Sequence, residues 1–217
     1  TGSGSVALLD KTRLLGEINT ETSGSHSARL VRAVDYMLRA RSLKIKDVAG
    51  FAVAAGPGSF TGIRIGMSTI KAFAFASGKL VAPISTLSAL ALKLRGSKSR
   101  LVSPVLDAKK GEIYAALFES RGEKLAEVIP QGAYTPDQFL SRLPGHRMIT
   151  FIGNGVEAYR EKILAYLKDQ ARFSSRSPFI AYEVGVLGYE ILRKGRGVCG
   201  EDLQPIYFRK SQAEEEK

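Results

Sequence analysis

The chain carries 217 residues, 44% of them hydrophobic, with 32 lysines and arginines against 21 acidic residues for a formal charge of +11. That length can bury a core of one or two domains, and a single cysteine, Cys199, excludes an internal disulfide or a cysteine-rich metal site. No apolar run reaches the length of a membrane span and no signal peptide is visible, so a reducing, cytoplasmic setting is expected and no membrane partner.

In chain order, residues 1–4 have turn chemistry, and 5–9 and 14–20 read as two strands joined by Asp10-Lys11-Thr12-Arg13. A chain that opens inside a glycine turn leads us to expect an apolar strand upstream in the parent protein, a vector-derived remnant at 1–3 being the alternative. Capping residues follow at 23–27, and then an amphipathic helix over 28–40. Leu30, Val31, Val34, Met37 and Leu38 form its apolar face, opposite Arg29, Arg32, Tyr36 and Arg39. His26 sits at the helix start, where positive charge is disfavoured, and reads as a neutral hydrogen-bonding group. Residues 49–55 form a strand, 63–77 a long helix, 79–84 a strand and 87–94 a helix. Gly96-Ser97-Lys98-Ser99-Arg100 is small, charged and without periodicity, so we place a domain boundary there, giving units 1–97 and 98–217.

The second half opens as an antiparallel meander over 101–106, 113–119 and 125–129. Asp107 and Glu112 at its first turn invite an acid/base reading, but Lys109 and Lys110 stand between them, and surface turn charges are preferred. Thr135-Pro136-Asp137 starts a short helix to residue 143, with proline at the first helical position. A buried strand at 148–152 leads into Gly153-Asn154-Gly155 and a helix over 156–167. A last helix is expected over 179–194, an extended segment over 203–209 and a frayed charged tail over 212–217. The two histidines, His26 and His146, lie too far apart in sequence to suggest a metal pair.

The most informative stretch is Ala55-Gly56-Pro57-Gly58-Ser59-Phe60-Thr61-Gly62-Ile63-Arg64-Ile65-Gly66, a strand, a glycine turn and a helix start. It invites a phosphate cradle. The P-loop lysine and hydroxyl are missing after Gly62, and the dinucleotide pattern fails because its third glycine comes one residue late. A rigid turn with Phe60 plugged into a core is therefore preferred, capped by Ser59 or Thr61. The helix beyond it has two apolar faces, one from Ile63, Met67, Ile70 and Ala74, another from Ile65, Thr69, Ala72 and Ala76. Its charges, Arg64 and Lys71, share one narrow stripe. A helix covering one sheet needs one apolar stripe, so the second must meet another part of the chain or a partner.

This stretch resembles the signature of the bacterial TsaB (YeaZ) family. Pro83-Ile84-Ser85-Thr86-Leu87, Pro104-Val105-Leu106-Asp107-Ala108, Gly111-Glu112-Ile113-Tyr114, Gly153-Asn154-Gly155 and Pro205-Ile206-Tyr207-Phe208-Arg209 fit it too, as does His26-Ser27. The resemblance implies an α/β fold of the actin-like type (ASKHA, related to sugar kinases and Hsp70) with two lobes. The family's usual first strand, ending in an aspartate, is absent ahead of Thr1. It implies a non-catalytic scaffold in the bacterial machinery that makes N6-threonylcarbamoyladenosine beside the tRNA anticodon. A TsaD-like subunit catalyses the transfer, a TsaE-like ATPase joins, and tRNA is met indirectly. No catalytic residue, metal or cofactor is assigned to this chain, and ATP or ADP is placed at the interface of the complex.

The expected partner surface is a helix pair carrying Leu30, Val34, Met37, Ile63, Met67, Ile70, Lys71 and Ala74. It would complete a four-helix bundle with TsaD, or pair two copies when the chain is alone. The loop Gly56, Pro57, Gly58, Ser59, Phe60, Thr61, Gly62 and Arg64 is expected to be structural and close to nucleotide. An active ATPase or sugar-kinase-like phosphotransferase, and an autonomous tRNA-binding module using the positive charge, stay open as alternatives.

Overall fold

Two short hairpin-forming patterns and two strand–glycine–helix patterns organise the chain into an α/β protein. The computed structural model describes residues 3–21, 26–97, 99–121 and 124–208, with only the backbone of 3, 21, 26–28 and 121. The hydrogen-bonding role expected of the His26 side chain, the capping residues expected at 23–25 and the charged tail at 212–217 lie outside the described residues.

The first unit comprises Thr1–Ala89 and Phe179–Ile206. Strands β1 (Ser3–Asp10) and β2 (Arg13–Glu21) pair antiparallel, with a register shift at Leu8/Leu9. Helix α1 (His26–Arg39) follows. Strand β3 (Phe51–Gly56) runs parallel to β4 (Val81–Ser85), and α2 (Phe60–Ser77) is the crossover between them. Strand periodicity divides β3 between two layers. Phe51, Val53 and Ala55 share a core with Met67, Ala74 and Val81, together with the partly buried Ile63, Ile70 and Phe73 of α2. Ala52 and Ala54 face the opposite way, against Val184, Leu187 and Ile191 of α6 (Ala181–Leu192). A parallel pair needs helices on both faces, and this one has them.

The second unit comprises Leu90–Pro178, with Tyr207 and Phe208 of the described residues. Its sheet has the order β7-β6-β5-β8-β9. The meander β5 (Leu101–Lys109), β6 (Glu112–Arg121) and β7 (Lys124–Tyr134) is antiparallel, while β8 (Ile149–Ile152) and β9 (Ala171–Phe173) run parallel to β5. Helices α4 (Pro136–Leu140) and α5 (Gly155–Leu167) complete it. Leu101, Val105, Leu117, Phe139, Ile149, Phe151 and Ile163 are the centre of its core.

The division differs from the expected 1–97 and 98–217. It falls inside α3 (Thr86–Lys93), between Ala89 and Leu90, and 179–206 return to the first unit. The cause is apolar: Val184 and Leu187 of α6 need a sheet face, and β3 and β4 offer one. Strand β9 is missing from the sequence reading, because three residues give no usable periodicity. In the extended segment expected at 203–209, the Ile206 N–H donates to the Ala55 carbonyl of β3 at 2.8 Å.

Candidate partner-binding helix and glycine turn

Helix α2 is fixed at both ends by its own chemistry. The Ser59 hydroxyl accepts the Gly62 N–H at 3.3 Å, the N-cap role that serine fills well. Gly78 closes the helix in the left-handed region at φ 66°, donating its N–H to the Ala74 carbonyl. Inside, Thr69 and Ser77 hydroxyls donate to the Ile65 and Phe73 carbonyls at 2.9 and 2.7 Å. The helix interior therefore presents no unsatisfied hydroxyl from these two residues.

The structure corrects the expected partner surface. Met67, 5% exposed, and Ala74, 3% exposed, belong to the core of the first unit, with Ile63 and Ile70 packed against it. Lys71 is partly buried. On α1, Met37 is buried, and Leu30 and Val34 are partly covered. The reason is side-chain volume. Of the two faces of α2, the bulkier one fills the space over β3.

The uncovered stripe of α2 is Thr61, Arg64, Ser68, Ala72, Phe75 and Ala76, all exposed. Their spacing of three and four places them on one side of the helix. Phe75 is 93% exposed. Helix α1 packs on α2 and on β1, and shows Val31 and Tyr36 to solvent. Phe60 is not plugged into a core: it is 49% exposed, with the Arg64 guanidinium 3.7 Å above its ring. The signal for Phe75 was available in the sequence, since an aromatic in line with Ser68 and Ala72 has no core partner on that face.

The glycine turn is built by close approach of the chain to itself. Gly56 has φ +126°, and a Cβ there would stand 2.5 Å from the Ile206 carbonyl oxygen. The Gly56–Pro57 peptide is cis. The second unit repeats the device. Gly153 has φ +117°, and a Cβ would stand 2.2 Å from the Val105 carbonyl oxygen. Both glycines sit between a strand and a helix, and both admit a backbone carbonyl from elsewhere in the chain where a side chain would be. The Asn154 side-chain Oδ1 accepts the Asp107 N–H at 3.2 Å. At the start of α2 the N–H groups of Gly62 and Ile63 are already bonded to Ser59.

Asp107 lies in β5, opposite Ile113 and partly buried, rather than in the surface turn expected for it. Its carboxylate accepts from the Lys109 ammonium at 2.6 Å and the Lys109 N–H at 2.8 Å. The Lys109 hydrogen bond holds the carboxyl below the usual aspartate range. Among the described residues, no group of three or more histidine, cysteine, aspartate or glutamate side chains could hold a metal ion. No helix of the described residues is long and apolar enough to cross a membrane.

A family model described as "TsaD: tRNA N6-adenosine threonylcarbamoyltransferase" matches residues 13–217. The chain belongs to this family, on its TsaB (YeaZ) side. It is similar to the tRNA threonylcarbamoyladenosine biosynthesis protein TsaB of Bacillus subtilis (strain 168), at 28% identity over 96% of this chain and 90% of that protein. The protein of the same name from Haemophilus influenzae is 28% identical, over 94% of this chain and 88% of the other. A solved structure titled "YeaZ from Pseudomonas aeruginosa" superposes with a TM-score of 0.79 at 25% identity, covering 95% of this chain and 94% of that one. A ROK hexokinase from Thermus thermophilus matches with a TM-score of 0.50 at 12% identity, over 89% and 97% of the two chains. The fold is the actin-like α/β fold that these structures share.

Proposed function

We propose that this chain is a non-catalytic subunit in the biosynthesis of tRNA N6-threonylcarbamoyladenosine, and that it docks a catalytic partner of the TsaD type through α2 and the adjoining face of α1. The place in that pathway rests on the family and on relatives whose names state it. The docking reading rests on one observation, the uncovered stripe of an 18-residue helix that ends in a bare Phe75. Ser68, Ala72 and Ala76 let a partner helix approach closely, and Phe75 supplies apolar area for it to cover.

An ATPase of the TsaE type completes the assembly, and ATP or ADP belongs at its interfaces. Without its partner the same stripe pairs two copies around a two-fold axis, the usual symmetry of homodimers.

The experiment is size-exclusion chromatography of this chain with its TsaD-type partner. Phe75→Glu and Ala72→Glu are expected to elute as separate proteins while melting like the parent. A complex that survives both substitutions removes α2 as the docking helix. Sedimentation of the chain alone, over a range of concentrations, tests the two-fold pairing.

A further inference from the structure

One basic segment of the second unit lies where other arginines gather. Residues 93–100 hold four cations, Lys93, Arg95, Lys98 and Arg100, and no acid. The described part of this segment is held against the sheet. The Ser97 hydroxyl donates to the Ser99 carbonyl at 2.9 Å, and the Ser99 hydroxyl to the Leu101 carbonyl at 2.8 Å and to the Met148 carbonyl. The Ser120 N–H donates to the Arg100 carbonyl at 2.7 Å.

These bonds bring further arginines to the same place. Arg147 adjoins Met148 and pairs with Glu119 at 2.7 Å. Arg176 donates to the Lys93 carbonyl. Leu101 and Ile149 are register partners, so Arg100 and Arg147 lead into adjacent strands, spaced about 4.8 Å apart. Arg95, Arg100, Arg147 and Arg176 are all exposed. Among the described residues, Arg95, Arg100 and Arg176 form no ion pair.

We infer that this arginine-rich segment is a contact surface for the phosphate backbone of tRNA. The identity of the polyanion rests on the pathway reading above; the charge and its arrangement do not. Planar guanidinium groups match phosphate oxygens in a fork, and a backbone pinned by the Ser97 and Ser99 hydroxyls presents them with little ordering cost. The chain thus meets the RNA directly, rather than only through its catalytic partner.

The test is fluorescence anisotropy of a labelled tRNA transcript with the full chain, between about 50 and 200 mM salt. The double variant Arg95→Gln/Arg100→Gln is expected to bind more weakly. Its log K against log salt slope should be shallower by about 1.4 to 1.8, the loss of two phosphate contacts. Arg95→Lys/Arg100→Lys, which keeps the charge, should keep the slope, and a thermal melt of each variant checks folding. Lys44→Gln/Lys46→Gln, exposed cations of the first unit, should match the parent. The inference falls if the Arg95/Arg100 glutamine variant keeps the parent slope, or if the Lys44/Lys46 variant loses as much. It falls equally if poly-glutamate, and not tRNA, is the polymer whose binding is lost, because the surface would then suit an acidic protein. A variant that keeps the parent slope while cells still make the modified base removes this contact alone. A parent chain that binds tRNA through these arginines yet supports no modification overturns the pathway reading and leaves the contact standing.

Discussion

Gly56 and Ile206 define the glycine turn: the carbonyl oxygen of one occupies the space a side chain on the other would need, 2.5 Å from its Cβ position. The Ile206 N–H meanwhile donates to the Ala55 carbonyl at 2.8 Å. The turn and the late segment of the chain therefore lock one another. Gly56→Ala would add a contact that real Cβ atoms do not make, at a φ of +126° that L side chains rarely adopt. We expect a loss of about 2–4 kcal/mol, from backbone strain and displacement together. Gly145→Ala, where the new methyl meets nothing within 4 Å, should change stability by less than about 0.5 kcal/mol. Urea unfolding of both variants gives the comparison.

Met67 and Phe75 lie on one helix and should respond in opposite ways. Met67, packed with Phe51, Val53 and Val81, cannot take a charge without burying it unpaired. Met67→Glu is expected to cost about 3 kcal/mol or more and to lower the melting temperature sharply. Phe75→Glu should leave the melt within about 0.5 kcal/mol of the parent and abolish association with the partner. Circular dichroism on heating, set beside chromatography of the mixture, separates the two effects. Normal folding of the Met67 variant together with loss of the complex would return the docking surface to the bulkier face.

The helix itself was legible, and so was the fact that it carries more apolar surface than one sheet requires. Which face does what was not. Periodicity gives the angle between Met67 and Ala72 but no direction for the sheet, and the pairing of β3 with α2 is a long-range fact. Hairpins and glycine turns could be read because turn residues announce them locally. The three-residue β9 could not, and neither could the return of α6 to the first unit. Nothing within 179–194 names the strand it will cover. Phe60 was misplaced for a related reason. The Arg64 guanidinium that covers its ring at 3.7 Å is one helical turn away, and a cation over a ring leaves no mark in apolar periodicity.

The Asp107–Lys109 pair at the end of β5 sets a pH dependence with a definite sign. The folded carboxyl is held below the ordinary aspartate value of 3.8, chiefly by the Lys109 hydrogen bond. Its contribution is fully present above the unfolded value and is lost as pH falls through the folded one. The Lys109 ammonium is raised above 10.5, chiefly by the same bond, so its share is lost only as pH rises through that higher value. Stability should therefore carry no change from this pair between about pH 5 and 9 and should drop on the acid side. Asp107→Asn is expected to remove that part of the acid dependence. Because the Lys109 end is solvent-exposed, added salt should shrink the difference between the variant and the parent. Melting curves at several pH values, at low and high salt, give the result.

Phe139 anchors the second unit. It is 1% exposed, with its ring 5.5 Å from that of Tyr134. Thr135 and Gln138 cap the short helix that carries it, through reciprocal bonds of 3.3 and 3.2 Å. A helix of five residues has little stability of its own, so the cap and the buried ring must hold it together. Phe139→Ala should cost about 3–5 kcal/mol, from lost transfer energy and the cavity left behind. Thr135→Ala should cost about 1 kcal/mol, the value of an N-cap. The two losses should not add, because once the ring is gone the cap has less packed structure to hold. A double-mutant cycle by urea unfolding measures the coupling, and strict additivity would show that α4 is held by other contacts.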